Sequence, residues 1–214
     1  MDFEILNKVI LLNARRNSGK SVLLRKLVLD SKHHFSQIFC ICPSESVNGF
    51  FKKSGIVKEK FIFETYTEKF GNALLKKLTE LNKDKTKETA SHTLLILDDC
   101  IADIDMRNSP SLKKIFVRGR HLFLSLICTS QNLKSLSPLE RGNCDYILCG
   151  NLTANNLEIL IEDFCPSSIT KKEFSNYYST ATKNYGFIVI NNNSTKTSDK
   201  DEILGVLRCD SEDV

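Results

Sequence analysis

Asn13-Ala14-Arg15-Arg16-Asn17-Ser18-Gly19-Lys20-Ser21 is the stretch on which the reading of this chain turns. The apolar run Val9-Ile10-Leu11-Leu12 precedes it, and Val22-Leu23-Leu24-Arg25-Lys26-Leu27-Val28 follows. That pattern predicts a short buried strand, a tight turn and an amphipathic helix, with Gly19-Lys20-Ser21 at the turn-to-helix junction. The first N–H groups of a helix have no internal partner, and the helix dipole adds partial positive charge there, so the junction attracts anions. The stretch fits the phosphate-loop pattern G-x-x-x-x-G-K-[ST] with one departure, Ala14 in the place of the first glycine. On this pattern Ala14, Arg15, Arg16, Asn17, Ser18, Gly19, Lys20, Ser21 and Val22 wrap a chain of phosphates. Lys20 reaches the β- and γ-phosphates, and the Ser21 hydroxyl takes one ligand position on Mg²⁺. If position 14 needs φ > 0, alanine there costs on the order of 1 kcal/mol. A defective loop is the bland alternative; the intact Gly19, Lys20 and Ser21, framed by strand and helix, argue against it.

The 214 residues are expected to form one domain with a small appendage: an α/β nucleotide-binding domain over 1–191 and a polar C-terminal segment over 192–214 with an edge strand. With 41% hydrophobic and 26% charged residues the chain can bury a sizeable core and is neither disordered nor membranous in composition. Met1-Asp2-Phe3-Glu4 opens no signal peptide, and no apolar run approaches the roughly 20 residues of a bilayer span, so no membrane is expected as a partner. A formal charge of +4 permits nucleic acid without demanding it. Eight cysteines without a secretory signal point to a reducing compartment. Cys40 and Cys42 share one face of an expected strand, and Cys128 and Cys149 also fall in strands, so small buried hydrophobes are the favoured reading. The sharper alternative is a metal site of His33, His34, Cys40 and Cys42, whose spacing matches no common zinc pattern.

Apolar, β-rich runs alternate with helical patterns, which predicts a mainly parallel sheet flanked by helices. Strands are expected near 8–13, 37–42, 60–63, 93–97, 122–128, 146–149 and 185–190, with an edge strand near 203–207. Helices are expected near 20–31, 67–82, 109–119, 153–163 and 170–181. Residues 82–89 read as a charged surface loop, and the region around Asn48-Gly49 as a polar loop.

Ligands of open parallel sheets sit beyond the carboxyl ends of the strands. Asp98-Asp99 closes the apolar run Thr93-Leu94-Leu95-Ile96-Leu97, and Gln131 follows the next strand. A carboxylate at such a position suits Mg²⁺, which keeps most of its waters, so Asp98 is read as the metal-side acid. Asp99 is read as the group that orients or deprotonates the attacking water, and Gln131 as a neutral sensor of the γ-phosphate. The bland alternatives are a turn-capping aspartate and a polar loop residue. A carboxylate pair followed by a strand-terminal glutamine points to hydrolysis rather than phosphate transfer to a small molecule. Arg118, Arg120 and Arg141 are placed near the last strand-end loops. A guanidinium offered by a neighbouring subunit can bind the transferring phosphoryl group, with an ordinary surface arginine as the alternative.

The chain resembles the DNA-packaging ATPases of poxviruses and other large nucleocytoplasmic DNA viruses, a branch of the FtsK–HerA superfamily. Carrying the resemblance, in order, are Ala14-Arg15-Arg16-Asn17-Ser18-Gly19-Lys20-Ser21, Ile41-Cys42-Pro43-Ser44-Glu45, Leu95-Ile96-Leu97-Asp98-Asp99-Cys100, Phe116-Val117-Arg118-Gly119-Arg120-His121, Thr129-Ser130-Gln131 and Arg141-Gly142-Asn143-Cys144-Asp145-Tyr146. The resemblance implies a RecA-like P-loop NTPase and an ATP-hydrolysing, ring-forming motor, hexameric or pentameric. Such a motor drives double-stranded viral DNA into a preformed capsid, working with a capsid or portal protein. It implies ATP and Mg²⁺ bound at Lys20, Ser21 and Asp98, water activation by Asp99 and sensing by Gln131. It also implies arginines acting in trans at Arg120 and Arg141. A setting in the virus factory of the host cytoplasm and in the virion follows from the same resemblance. Lys113, Lys114, Lys134, Lys171 and Lys172 are candidates for contact with the DNA backbone, or are simply solvated. Rival readings are another FtsK–HerA-type translocase or helicase-like ATPase, and a non-hydrolysing, ATP-gated assembly protein.

Overall fold

Val9–Asn13 (β1) is buried along its whole length, as a strand that is apolar on both faces must be, and it lies near the middle of an eight-stranded sheet. The computed structural model describes residues 3–101, 104–193 and 200–208. After β1 come α1 (Lys20–Ser31), β2 (Gln37–Ile41), α2 (Glu45–Asn48), α3 (Phe50–Ser54), β3 (Ile62–Phe63), α4 (Glu68–Leu81) and β4 (Thr93–Leu97). There follow α5 (Ile104–Asn108), α6 (Pro110–Arg118), β5 (Leu124–Ser130), α7 (Pro138–Gly142), β6 (Tyr146–Cys149), α8 (Ala154–Phe164), α9 (Lys171–Ala181), β7 (Phe187–Asn191), α10 (Lys200–Ile203) and β8 (Leu204–Leu207).

The strand order is β3-β2-β4-β5-β1-β6-β7-β8. From β3 to β6 all neighbours are parallel, while β7 and β8 join antiparallel at one edge. Asn13 stands level with Ser130 and Cys149, and Leu97 with Cys128 and Ile41, so the carboxyl ends of the central strands form one rim. Alternation divides the core in two. Val9, Leu11, Leu95, Leu97, Leu126, Cys128 and Ile147 face α4, α6, α8 and α9. Ile10, Leu12, Cys40, Leu94, Ile96, Ile127 and Leu148 face α1 and α3. This is a RecA-like P-loop NTPase fold, a mainly parallel sheet with helices on both faces.

Several details depart from the sequence reading. The polar stretch after β2 contains α2 and α3, hinged at Gly49 (φ 61°). Fully buried Phe51 anchors them, and the Glu45 carboxylate accepts from the N–H groups of Phe51 and Lys52. Of the run 60–63, Ile62 and Phe63 alone pair with β2, because Glu59–Phe61 winds into a 3₁₀ turn. β5 begins two residues late, after the 3₁₀ turn Gly119–Leu122 and a left-handed Phe123 (φ 57°), and runs through Thr129 and Ser130. Beyond residue 191, β8 pairs with β7 along the sheet edge; 194–199 and 209–214 lie outside the described residues.

Candidate active site

The loop between β1 and α1 is tied to the sheet at its start: the Ala14 N–H donates to the Ser130 carbonyl (3.2 Å) and the Arg15 N–H to that of Asn151 (2.9 Å). Its left-handed residues are Asn17 (φ 56°) and Gly19 (φ 82°). Ala14 is not among them, and its methyl group is fully buried. The cost considered for alanine at this position therefore does not arise. Gly19 caps α1 without any side-chain hydrogen bond, and the first turn of α1 carries no acidic residue. By contrast α4, α6, α7, α8 and α9 each begin with a Ser or Thr whose side chain accepts from the helix. The N–H groups at Lys20, Ser21 and Val22 are thus left to an external acceptor, in a positive dipole field.

A cleft of about 750 Å³ opens there, lined by residues 15–22 together with Ser44, Asn48, Asp99, Gln131 and Tyr185. Lys20 is buried and its Nζ lies 2.5 Å from Asp99 Oδ1. Gln131 Nε2 donates to the other oxygen of Asp99 (3.2 Å). Asp99 itself has φ 50°, which turns its carboxylate away from the line of β4 toward the loop. β5 lies between β1 and β4, so the acids come from the next strand but one rather than from a strand adjoining the loop. Thr129 on that intervening strand links them: its hydroxyl donates to Asp98 Oδ1 (2.6 Å) and accepts from the Asp99 N–H (3.0 Å). No role for Thr129 is legible in the sequence: no local signal singles it out, since Ser125 and Ser130 on the same strand also carry hydroxyls.

Asp98 has its carboxyl raised above the ordinary aspartate range, first by burial and then by the charge of Asp99, against the Thr129 hydrogen bond and the charge of Lys20. The Cys42 thiol, pushed up to about 11 by burial, stays protonated and donates to Asp98 Oδ2 (3.5 Å). Ser21, at the first turn of α1, and Asp98 are both oxygen donors, which is the chemistry a hard Mg²⁺ takes. His33 and His34 stack on one another, exposed, whereas Cys40 and Cys42 are buried. Among the described residues no group of three or more His, Cys, Asp and Glu side chains is arranged to hold a metal.

Asn156 on α8 and Arg141 on α7 hold the turn after Gln131. The buried Asn156 amide donates to the Gln131 carbonyl (3.0 Å) and accepts from the Leu133 N–H (3.1 Å). Arg141 is also buried: its Nε and Nη2 donate to Asp163 (2.8 and 2.7 Å) and its Nη1 to the Leu136 carbonyl (2.7 Å). The guanidinium is thus engaged within its own chain, whereas the sequence reading expects it to act in trans. Arg120 does not stand at the loop-bearing rim. It precedes β5, at the amino ends of the strands, and lies 3.5 Å from buried Asp145, whose other oxygen accepts from the Val9 N–H (2.7 Å). Arg118 is exposed at the end of α6 and has no ion pair among the described residues. Asn13, at the tip of β1, has both polar side-chain atoms buried without a partner. Among the described residues no helix is long and apolar enough to cross a membrane.

The sequence model of the family described as "Poxvirus A32 protein" matches residues 7–206. Uncharacterized protein 015R of Frog virus 3 (isolate Goorha) is 27% identical over 204 residues, covering 93% of this chain and 60% of its own length. The chain thus spans about three fifths of that relative. Uncharacterized protein L437 of Acanthamoeba polyphaga mimivirus is 27% identical over 220 residues, covering 95% of this chain and 75% of its own. Among solved structures, the genome packaging NTPase B204 of Sulfolobus turreted icosahedral virus 2, in complex with AMPPCP, superposes with a TM-score of 0.66 at 20% identity. That match covers 94% of this chain and 97% of B204. The pCW3 conjugation coupling protein TcpA superposes at 0.58 with 14% identity, over 86% of this chain and 57% of its own. At these identities the superpositions speak for the fold.

Proposed function

The chain belongs to the poxvirus A32 protein family, and on that premise we propose that it is a Mg²⁺-dependent ATPase, a motor of FtsK–HerA type that moves double-stranded viral DNA into a capsid. The observation that carries this reading is the line of contacts Lys20–Asp99–Gln131 across the mouth of an uncapped helix N-terminus. A triphosphate laid against the N–H groups of Lys20 to Val22 brings Lys20 Nζ a second acceptor and draws its charge from Asp99 toward the β- and γ-phosphates. The Asp99 carboxylate, so released, faces the γ-phosphate and takes a proton from the attacking water, which the Gln131 amide orients. Thr129 keeps Asp98 and Asp99 in fixed relation while this happens. Ser21 and Asp98 would hold Mg²⁺, which supplies charge neutralisation for the phosphoryl group in transfer. Gln131 reports the state of the phosphates to the turn that Asn156 grips.

Adenine nucleotide is supported by the fold-mate B204, described as a genome packaging NTPase in complexes with AMP, AMPPCP and ATP-gammaS. The motor reading takes a homo-oligomeric ring, pentameric or hexameric, and in such a ring Arg118 and Arg120 can act only between subunits. β5 alone spans about 23 Å at 3.3 Å per residue. A guanidinium at its amino end is therefore out of reach of the phosphates of its own subunit. Exposed Lys113, Lys114, Lys134, Lys171 and Lys172 are the DNA-backbone candidates. A capsid or portal protein, the virus factory of the host cytoplasm and the virion complete the reading. Steady-state ATPase assays with and without duplex DNA test it. Mg²⁺-dependent turnover that DNA stimulates and Lys20→Ala abolishes is expected; wild-type turnover no higher than that of Lys20→Ala would make the chain a non-hydrolysing docking protein instead. Co-precipitation with capsid proteins separates packaging from other translocation.

A further inference from the structure

Next to the phosphate cleft lies a second one of about 480 Å³. The two share residues 15–18 and Tyr185, so the ring of Tyr185 is a wall common to both. Beyond that wall the second cleft is lined by Asn151, Thr182 and Asn184 and contains no carboxylate. Tyr185 is 53% exposed and forms no hydrogen bond or ring contact with any described residue. It is nonetheless held firmly. Asn184 (φ 51°) and Tyr185 (φ 57°) are consecutive left-handed residues, a conformation that costs any side chain with a Cβ. A Cβ on Gly186 would come within 2.0 Å of the Ala181 carbonyl oxygen, so the turn closes on that glycine and cannot relax around a larger residue. On the other side, the Cβ of Tyr185 is 3.5 Å from the place a side chain on Gly19 would occupy, which seats the tyrosine directly against the phosphate loop.

We propose that Tyr185 is the stacking platform for the nucleobase, with the amides of Asn151 and Asn184 and the hydroxyl of Thr182 addressing the base edge. The inference rests on the reading of residues 14–22 as a triphosphate site and extends it from the phosphates to the base. A flat aromatic face stacks on any base, and neutral amides can donate and accept along a base edge. The Thr182 hydroxyl, which donates to the Tyr178 carbonyl (2.9 Å), can accept there, whereas none of these groups offers counter-charge to a further phosphate. Arg15 and Arg16, shared by both clefts, stay with the phosphates between them.

The chain contains no tryptophan, so Tyr185→Trp introduces a single reporter at this position. Calorimetric titration with Mg²⁺–ATP and with Mg²⁺–tripolyphosphate, on wild type, Tyr185→Ala and Tyr185→Phe, separates base from phosphate. Expected are a loss of about 5- to 100-fold in ATP affinity for Tyr185→Ala, unchanged tripolyphosphate affinity, and wild-type behaviour for Tyr185→Phe. The indole emission of Tyr185→Trp changes with ATP and not with tripolyphosphate. If Tyr185→Ala weakens both ligands equally, the residue merely shapes the loop, and if it weakens neither, the base lies elsewhere; either result overturns the platform and leaves the phosphate site standing. Wild type that binds neither ligand overturns the phosphate site, and the platform with it.

Discussion

Asp98 and Asp99 are adjacent in sequence and opposite in circumstance. Asp99 is turned outward by its left-handed backbone and held by Lys20 and Gln131, so Asp99→Asn should lower ATP turnover by about 10²- to 10⁴-fold while ATP affinity stays near wild type. Full turnover in the variant would remove Asp99 from water activation. Asp98 is pushed the other way by burial. With its folded carboxyl above the unfolded value, the native state binds that proton more tightly than the unfolded chain does. The stability this confers is present in acid and is lost as pH rises through the folded pKa. Asp98→Asn stays neutral and can still accept from Thr129. Its melting temperature should exceed that of wild type by a few degrees at neutral pH, with the difference closing as pH falls toward about 4. Calorimetry across that range checks the sign, and the same variant should lose Mg²⁺-dependent turnover. Both acids were legible in the sequence because an apolar run that stops at carboxylates announces a buried strand with its tip at a rim. Their division of labour was only partly so. The contacts that set it come from Thr129 and Lys20, roughly 30 and 80 residues away in the chain. Tyr185 was invisible for a related reason: a left-handed tyrosine leaves no mark in composition or period.

Among the elements, β5 and the turn after it carry the most consequence. The strand separates the loop strand from the acid strand, and the turn beyond Gln131 is held at two points, by Asn156 and by Arg141. Arg141→Ala strips the Leu136 carbonyl and Asp163 of their donor. It should destabilise the fold by about 1–3 kcal/mol, roughly 2–12 °C in melting temperature for a domain of this size. Turnover should fall with the loosened turn, and mixing with Lys20→Ala subunits should not restore it. Restoration by mixing would instead make Arg141 an arginine that acts in trans. Helix and strand spans were readable wherever the period was long: α1, α4, α8 and α9 stand within a residue or two of expectation, since one apolar face over three turns outweighs local preference. The short helices were not, though one signal was present. Ser137-Pro138-Leu139-Glu140 is a capping box with proline in the first turn, and it opens α7. α2 and α3 depend on the burial of Phe51 and on a carboxylate cap from Glu45, which no local pattern announces.

At the scale of the molecule, the sheet sets its two ends to different tasks. The carboxyl rim gathers the phosphate loop, both acids and Gln131. The amino rim carries Arg118 and Arg120 beside buried Asp145. Chain position decides this separation: Arg118 and Arg120 come just before β5 and Gln131 just after it, so in a parallel sheet they lie at opposite rims. The seating of the acids two strands from the loop depends instead on strand order, which a linear pattern of apolar runs does not encode. One consequence is specific. Arg120 is engaged with Asp145, whereas Arg118 is exposed and has no ion pair among the described residues, so Arg118 is the arginine expected to complete a neighbour's site. Lys20→Ala and Arg118→Ala should each be inactive alone. Mixed in equal amounts and assembled at random head to tail, they form roughly one interface in four with an intact lysine facing an intact arginine. Recovery of up to about a quarter of wild-type turnover, read in a steady-state assay after mixing, is the expected result. A mixture as inactive as its components, in rings shown by mass measurement to contain both variants, would confine each site to a single subunit. The amino rim would then be left to shape the assembly rather than its chemistry.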